Sequence, residues 1–453
     1  MTKIIRRQFW LISAFFKKYY QIVIGSLIFS LLAGFIGVRL VKLLPQPKPV
    51  IRVAVIGQYT NQSLPPLVKN ILNSGLTKVG PKSNIIGNLA SKWEIENDDK
   101  TYAFTLKPDI TWSDGDSIKA ADIVFNIPNV KTETKGNDQL VFHLPDSFSP
   151  FPSVLTNPVT NKKGLTAGNF KVSLSQNTNG LISKIELSSD KQQIVVKVYG
   201  SSNQALTAYK LGEVDAIFNY PLHEEGTLQK YGTIQSLDNF NQALVLFINT
   251  QNPILKDKSI RQGIAYAIKD KSFSFSRSLT PISIDSWAYN PLVKTYDYDQ
   301  VRAIKLIRDN LPDRGQVLSL ELATMPQFLD TAEKIKEEID SNLINLNIKV
   351  VTSRPEDYQL YLTLFEIPPD PDQYIFWHST QGTNISHINS EKIDKSLEDG
   401  RRTIDQQERK KIYNEFQRTF AEELPAIFLH YPRYLNLARS QAIFDIINPE
   451  TAL

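Results

Sequence analysis

The chain has 453 residues, 51 of them Lys or Arg and 47 Asp or Glu, for a net charge of +4. Nine of the basic residues and no acidic ones fall within the first 52, so the remainder is slightly acidic and offers no footprint for nucleic acid. Cysteine is absent, which excludes disulfides, thiolate catalysis, Fe–S clusters, Cys-zinc sites and attachment through an acylated cysteine.

The elements begin with an anchor. Ile22 to Val38 carries no charge and covers about 25 Å at about 1.5 Å per residue. Continued to Leu44, with Arg39 and Lys42 snorkelling, it is long enough to cross a bilayer core. Lys3, Arg6, Arg7, Lys17 and Lys18 precede it, so the positive-inside rule places the N-terminus in the cytoplasm, against the weaker pull of Arg39, Lys42 and Lys48. Ile4 to Phe16 reads as an interfacial helix. The competing reading is a cleaved signal peptide. The long basic region, the long apolar run and the lack of an A-x-A site count against it. Residues 1–20 are thus expected at the cytoplasmic face, 21–44 as the anchor and 45–50, rich in proline, as a stiff spacer.

Ile51 to Ile56 predicts a first strand. Leu67, Ile71, Leu72, Leu76 and Val79 predict a helix over Pro65–Val79. Tyr102 to Leu106 alternates as a strand, and Asp116 or Ser117 is placed to cap a helix through Ala120, Ala121, Val124 and Phe125. Residues 129–204 read as short strands joined by turns at Gly168–Asn169 and Asn179–Gly180. Further on, Leu318 to Leu322 is a strand. A helix on Phe328, Ala332, Ile335, Ile339, Leu343 and Leu346 follows, then a strand over Ile348–Val351. This β-α-β unit implies a parallel pair. Gln359 to Phe365 is another strand. Asp405 and Glu408 form a capping-box pattern for a helix on Ile412, Phe416 and Phe420, ended by Pro425, and Ala426 to Tyr431 is a buried strand. Mixed α/β lobes follow from this order.

No G-x-S-x-G, H-E-x-x-H or P-loop is present, so the pattern gives no enzyme its machinery. The five histidines, His143, His223, His378, His387 and His430, have no close metal-ligand spacing. Asp114-Gly115-Asp116 invites a calcium reading, but too few ligands converge, and a turn followed by a helix cap accounts for it better.

A resemblance enters at Leu89–Ile127, LASKWEIENDDKTYAFTLKPDITWSDGDSIKAADIVFNI. Leu89, Ala90, Trp93, Asp99, Tyr102, Phe104, Leu106, Trp112, Asp114, Gly115, Ala121 and Asp122 stand where the signature region of the family 5 (oligopeptide-type) bacterial solute-binding proteins has its landmarks. GLTAGNFKV (164–172), LTAYKLGEVDAI (206–217), FINTQNPILKDKSIRQGIAYAIKDKS (247–272), PPDPDQYIFWHST (368–380), NISHINSEKIDKSLEDGRR (384–402) and LPAIFLHYP (424–432) continue the family order, with Asn169 in place of a usual Pro and Gly263 in place of a usual Ala. Gly212 then reads as a helix C-cap, and Arg261 as a group that fixes a helix.

The resemblance implies an α/β fold of two lobes, the type II periplasmic-binding-protein architecture of the oligopeptide cluster, with mixed sheets behind one transmembrane helix. Lobe one would be 51–245 plus 430–453 and lobe two 246–429, hinged near Ala243–Asn249 and Ile427–Tyr431. It implies no enzyme activity and no cofactor. The chain would be a monomeric, membrane-anchored, extracytoplasmic receptor handing a short peptide or another small organic solute to ABC permease subunits. A tethered sensor or envelope scaffold with the same fold is the alternative. Peptide-binding members carry an Asp, following a Trp, three residues before an acidic-Pro step, and it pairs with the peptide ammonium. Here the step is Asp370-Pro371, Ile367 holds the Asp position and Leu364 the Trp position, and Glu366 is the substitute carboxylate if the Pro368-Pro369 pair shifts the loop by one. Candidate ligand-binding residues are therefore Tyr59, Thr60, Trp287, Tyr289, Phe365, Glu366 and Ile367.

Overall fold

The computed structural model describes residues 2–43, 48–61, 63–96, 98–221, 228–313, 316–339 and 343–447. The chain falls into two units, Met1–Val50 with Asp190–Gln192, and Ile51–Ser189 with Gln193–Leu453. In the first unit α1 (Thr2–Leu43) bends at Tyr19, whose φ of −117° and ψ of 16° leave the helical region. Its segment Gln8–Phe35 is, by length and composition, apolar enough to cross a membrane. Phe9, Trp10, Leu27, Phe29 and Leu31 are all exposed.

The second unit opens with β1 (Val50–Ile56) and α2 (Pro66–Leu72). The helix expected over Pro65–Val79 stops at Leu72, because Asn73 turns left-handed (φ 41°) and Thr77–Val79 instead pairs with Ile85–Gly87. Gly75 makes the turn possible: a Cβ there would sit 2.6 Å from the Thr156 carbonyl oxygen. The strands β2 (Ala90–Ile95), β3 (Thr101–Leu106), β4 (Lys131–Lys135) and β5 (Gln139–His143) form a four-stranded antiparallel sheet in the order β2-β3-β5-β4. Tyr102, Phe104, Phe142 and Phe151 close its core. The helix expected after Ser117 is only a 3₁₀ turn, Ala120–Asp122, followed by the two-residue strand Ile123–Val124 that pairs with Thr160–Asn161.

The strands β6 (Lys171–Gln176), β7 (Ile182–Ser188) and β8 (Gln193–Tyr199), the helix α3 (Ser202–Leu211), then β9 (Ala216–Pro221) and β10 (Thr233–Asp238) follow. Gly212 ends α3 at a φ of 82°, a left-handed position that costs glycine little. The chain then crosses to β11 (Gln242–Ile248), α4 (Lys258–Ala267) and α5 (Gln300–Asn310). The expected β-α-β unit is β12 (Leu318–Thr324), α6 (Leu329–Ile339) and β13 (Ile344–Val350), and β12 and β13 pair in parallel. Leu343 and Leu346 are not on the helix as expected: it ends at Ile339, and the strand begins at Ile344. β14 (Leu360–Glu366), α7 (Glu391–Arg402), α8 (Gln406–Glu423) and β15 (Ala426–His430) complete this half. The chain then crosses back to β16 (Arg433–Ala438).

Two large sheets result, β6-β7-β8-β1-β9-β16-β10 and β13-β12-β14-β11-β15. The central strand β11 reads QALVLFI because both its faces are covered. Leu244, Leu246 and Ile248 enter a core with α4, α5 and α6, and Ala243, Val245 and Phe247 a core with Trp377, α7 and α8. Arg261 does fix a helix: its guanidinium donates to the carbonyls of Leu255, Lys256, Glu423 and Leu424.

Candidate functional site

The two large sheets are joined twice, by 238–242 and by 430–433. These segments run side by side, the Asn239 amide donating to the Pro432 carbonyl at 2.8 Å. Gln242 leaves the first and Tyr434 the second. The Tyr434 hydroxyl donates to Gln242 Oε1 at 2.7 Å, and Gln242 Nε2 donates to Glu366 Oε1. A hydrogen-bonded line therefore runs from β16 in one sheet to the end of β14 in the other.

Glu366 pairs with Gln242 in the strand register, and its side chain is reached by solvent. The surrounding protein nevertheless strips water from it, and this raises its pKa above the ordinary 4.5, while the Gln242 hydrogen bond pulls the other way. An accessible carboxylate in a crowded concave setting satisfies both observations. Burial, then the Glu366 charge, raise the phenols of Tyr59 and Tyr434, the latter to about 12. The Tyr59 hydroxyl donates to the Ile56 carbonyl at 3.1 Å, which folds the ring back onto the end of β1. Tyr59, Gln242, Glu366 and Tyr434 thus converge on one patch.

The other expected residues are dispersed. Thr60 is exposed and forms a small turn with Ser63. Phe365 and Ile367 are buried, at 4% and 3% exposure, in the aromatic core with Phe247 and Trp377; strand alternation sends them inward on either side of Glu366. Trp287 is half-buried, its amide donating to the Lys82 carbonyl at 2.9 Å and its ring 5.5 Å from the Arg409 guanidinium. Tyr289 is half-buried too, with its phenol raised by burial and held back by the Arg277 charge. Nothing in the sequence links Gln242 and Tyr434 to the patch; only a polar residue opening a buried strand hints at the first.

Just beyond Glu366 lies a cavity of about 280 Å³. Val79, Ile85 and Pro150 form one wall and Pro368, Pro369 and Phe376 the other, with Asp370, Asp372 and Arg401 at its edge. Both carboxylates are already engaged. Asp370 takes a buried bidentate contact from Arg409 at 2.8 and 3.2 Å, and Asp372 takes Arg401 at 2.8 and 3.1 Å. Burial disfavours the charge on Arg409, and Asp370 more than restores it, so its pKa is raised. A larger hollow of about 540 Å³ lies beside Asp114, Asp116, Lys119 and Lys162, but residues 112–122 and 161–163 form it alone, away from the crossing segments. Asp114 accepts the Asp116 amide at 3.1 Å around Gly115 (φ 94°), a turn.

His378 is buried and lies 3.2 Å from Glu398 Oε1 and 2.9 Å from Thr380 Oγ1. Burial and the Arg354 charge lower the pKa of His387. His223 lies outside the described residues. Among the described residues no three Asp, Glu or His side chains gather as a metal site.

Two crossing segments join the mixed sheets, and a polar patch of Gln242, Glu366 and Tyr434 sits where they meet, the architecture of a two-lobed binding protein. The pattern of the bacterial extracellular solute-binding proteins, family 5, matches residues 84–179 and 189–386, and the chain belongs to that family. It is a solute-binding protein of the ABC-importer class and not an enzyme. The oligopeptide-binding protein AppA of Bacillus subtilis is 23% identical over 451 residues, covering 81% of each chain. The structure of NikZ from Campylobacter jejuni in complex with Ni(L-His) superposes with a TM-score of 0.71 at 21% identity, covering 87% of this chain and 94% of that one. The structure of Bacillus subtilis AppA in complex with a nonapeptide gives 0.67 at 20%, covering 87% and 95%. These structural likenesses concern the fold.

Proposed function

We propose that the chain captures a short peptide, or another small organic solute with a cationic end, between a lobe built on the seven-stranded sheet and a lobe built on the five-stranded sheet, with the expected boundaries at 245/246 and 429/430 moved out of β11 and β15. The segments 238–242 and 430–433 would act as the hinge, and closure would present the loaded form to a permease. The observation that carries this is Glu366, a solvent-reached yet poorly hydrated carboxylate with the phenols of Tyr59 and Tyr434 beside it. An unpaired carboxylate in such a place is costly, and an arriving ammonium relieves the cost. Nickel-histidine and peptide complexes among the structural relatives keep a metal chelate on the panel of solutes to try. We further infer that α1 is a retained anchor with its N-terminus in the cytoplasm and the body outside, and that the chain acts as a monomer; the uncharged run Ile22–Val38 behind Lys3, Arg6, Arg7, Lys17 and Lys18 supports the anchor and its orientation.

Native mass spectrometry of residues 50–453 purified without refolding, followed by thermal shifts with peptide pools, tests the reading. A bound solute, or a melting temperature that climbs with solute concentration as mass action requires, supports it. An empty protein and no shift with peptides, sugars or nickel-histidine would move the assignment to a tethered sensor or scaffold.

A further inference from the structure

The crevice beside Pro368–Pro369 does not run on freely. A second cavity, of about 410 Å³, lies next to the first, lined by Ile127, Val130 and Val154 against Tyr374, Glu398 and Arg402. Phe148 and Arg401 line both. The Arg401 guanidinium sits 5.1 Å from the Phe148 ring and 4.1 Å from the Tyr374 ring, and it is tied to Asp372. The backbone around this pair is fastened as well. The Ser149 amide donates to the Arg401 carbonyl at 2.8 Å, Ser149 Oγ to the same carbonyl at 3.0 Å, and Ser147 Oγ to the Arg402 carbonyl at 2.9 Å. These carbonyls belong to the last turn of α7, where the helix has no N–H donors of its own left to offer them, so the other half of the crevice caps the helix. Gln406 Nε2 to Asn84 Oδ1, at 2.7 Å, and the Trp287 contact with Lys82 close the same seam further along.

We propose that Phe148 and Arg401 form a partition that sets the length of the ligand. The proposal rests on the receptor reading above and deepens it. Phe148 and Arg401 are the lining residues that the two cavities share, so a ligand seated beside Pro368 and Pro369 reaches the second cavity past their contact. Nine extended residues span about 30 Å and would have to pass through the partition. The solute is therefore a short peptide that ends before this contact, with an apolar body facing prolines, Ile85 and Phe376. The partition, not the total volume of the crevice, excludes longer chains.

The test is calorimetry with a peptide series that keeps a Val-Ala start and extends it one glycine or serine at a time to three, five and nine residues. For the wild-type protein the affinity should fall roughly tenfold or more beyond three residues, about 1.4 kcal/mol. Phe148→Ala, and independently Arg401→Gln, should each bring the nine-residue peptide to within about threefold of the dipeptide measured in the same variant. A fold defect would weaken every length alike, so the slope against length is the diagnostic. Wild-type binding of the nine-residue peptide as tight as that of the dipeptide overturns the partition. So does an unchanged slope in both variants. Absence of binding at every length in wild type and variants, with other small solutes also failing, overturns the receptor reading and the partition with it.

Discussion

A carboxylate at the meeting of two sheets, short of water and holding one amide hydrogen bond, costs the folded chain stability, and in the function proposed above it does so for recognition. Because the pKa of Glu366 is raised in the folded chain, its contribution to stability is full on the acid side and is lost as pH rises through the raised value. Glu366→Gln should therefore melt higher than wild type at neutral pH, with the difference vanishing in acid. Binding runs the opposite way. Affinity for a peptide with a free ammonium should climb as pH rises through the same value, and Glu366→Gln should weaken it by roughly 10–100-fold and abolish the pH dependence; titration calorimetry across pH reads both. Asp370 differs in kind. Removing it in Asp370→Ala leaves Arg409 buried without a carboxylate, a loss of about 3–5 kcal/mol in urea unfolding. The sequence points to Glu366 as the replacement carboxylate if the Pro368-Pro369 pair shifts the loop by one, since Ile367 fills the Asp position. Its partners Gln242 and Tyr434 are 124 and 192 residues from their contacts, and no local pattern carries such distances.

Among the elements, those with clear local punctuation were legible. Asp405 accepts the Glu408 amide at 2.9 Å at the start of α8, as the capping pattern predicts, and Asp405→Ala should cost about 1 kcal/mol by chemical denaturation. The run Leu67 to Val79 has helical spacing throughout, yet α2 ends early, because a sheet partner and a left-handed Asn73 outweigh periodicity. Gly263 also has a definite role. A Cβ there would lie 2.6 Å from Ile307 Cγ1, so the glycine lets α5 lie close on α4. Gly263→Ala gains helix propensity and still should lose about 1–3 kcal/mol through overpacking, seen as a lower denaturation midpoint. Trading Ile307 for Val in the same protein should return part of the loss.

For the whole molecule, composition and landmark order were enough to place the family, and the assignment of α1 has its own measurement. If the helix is a retained anchor, the full chain stays with membranes through an alkaline carbonate wash, and mass spectrometry of the mature protein finds the first residues intact. Release by the wash, or a start near residue 45, would show a cleaved leader. The placement of β16 has a further consequence, for the making of the protein. That strand lies between β9 and β10 in the seven-stranded sheet, although about 195 residues separate it from the end of β10, or about 10–40 s of synthesis at about 5–20 residues per second. Until it arrives, β10 lacks its partner and β9 keeps a bare edge, which is an invitation to pair with the wrong chain. The part of the protein made first is thus completed by nearly the last segment to emerge, and a chain cut short before Arg433 would leave a sheet with a missing strand and not merely a shorter tail.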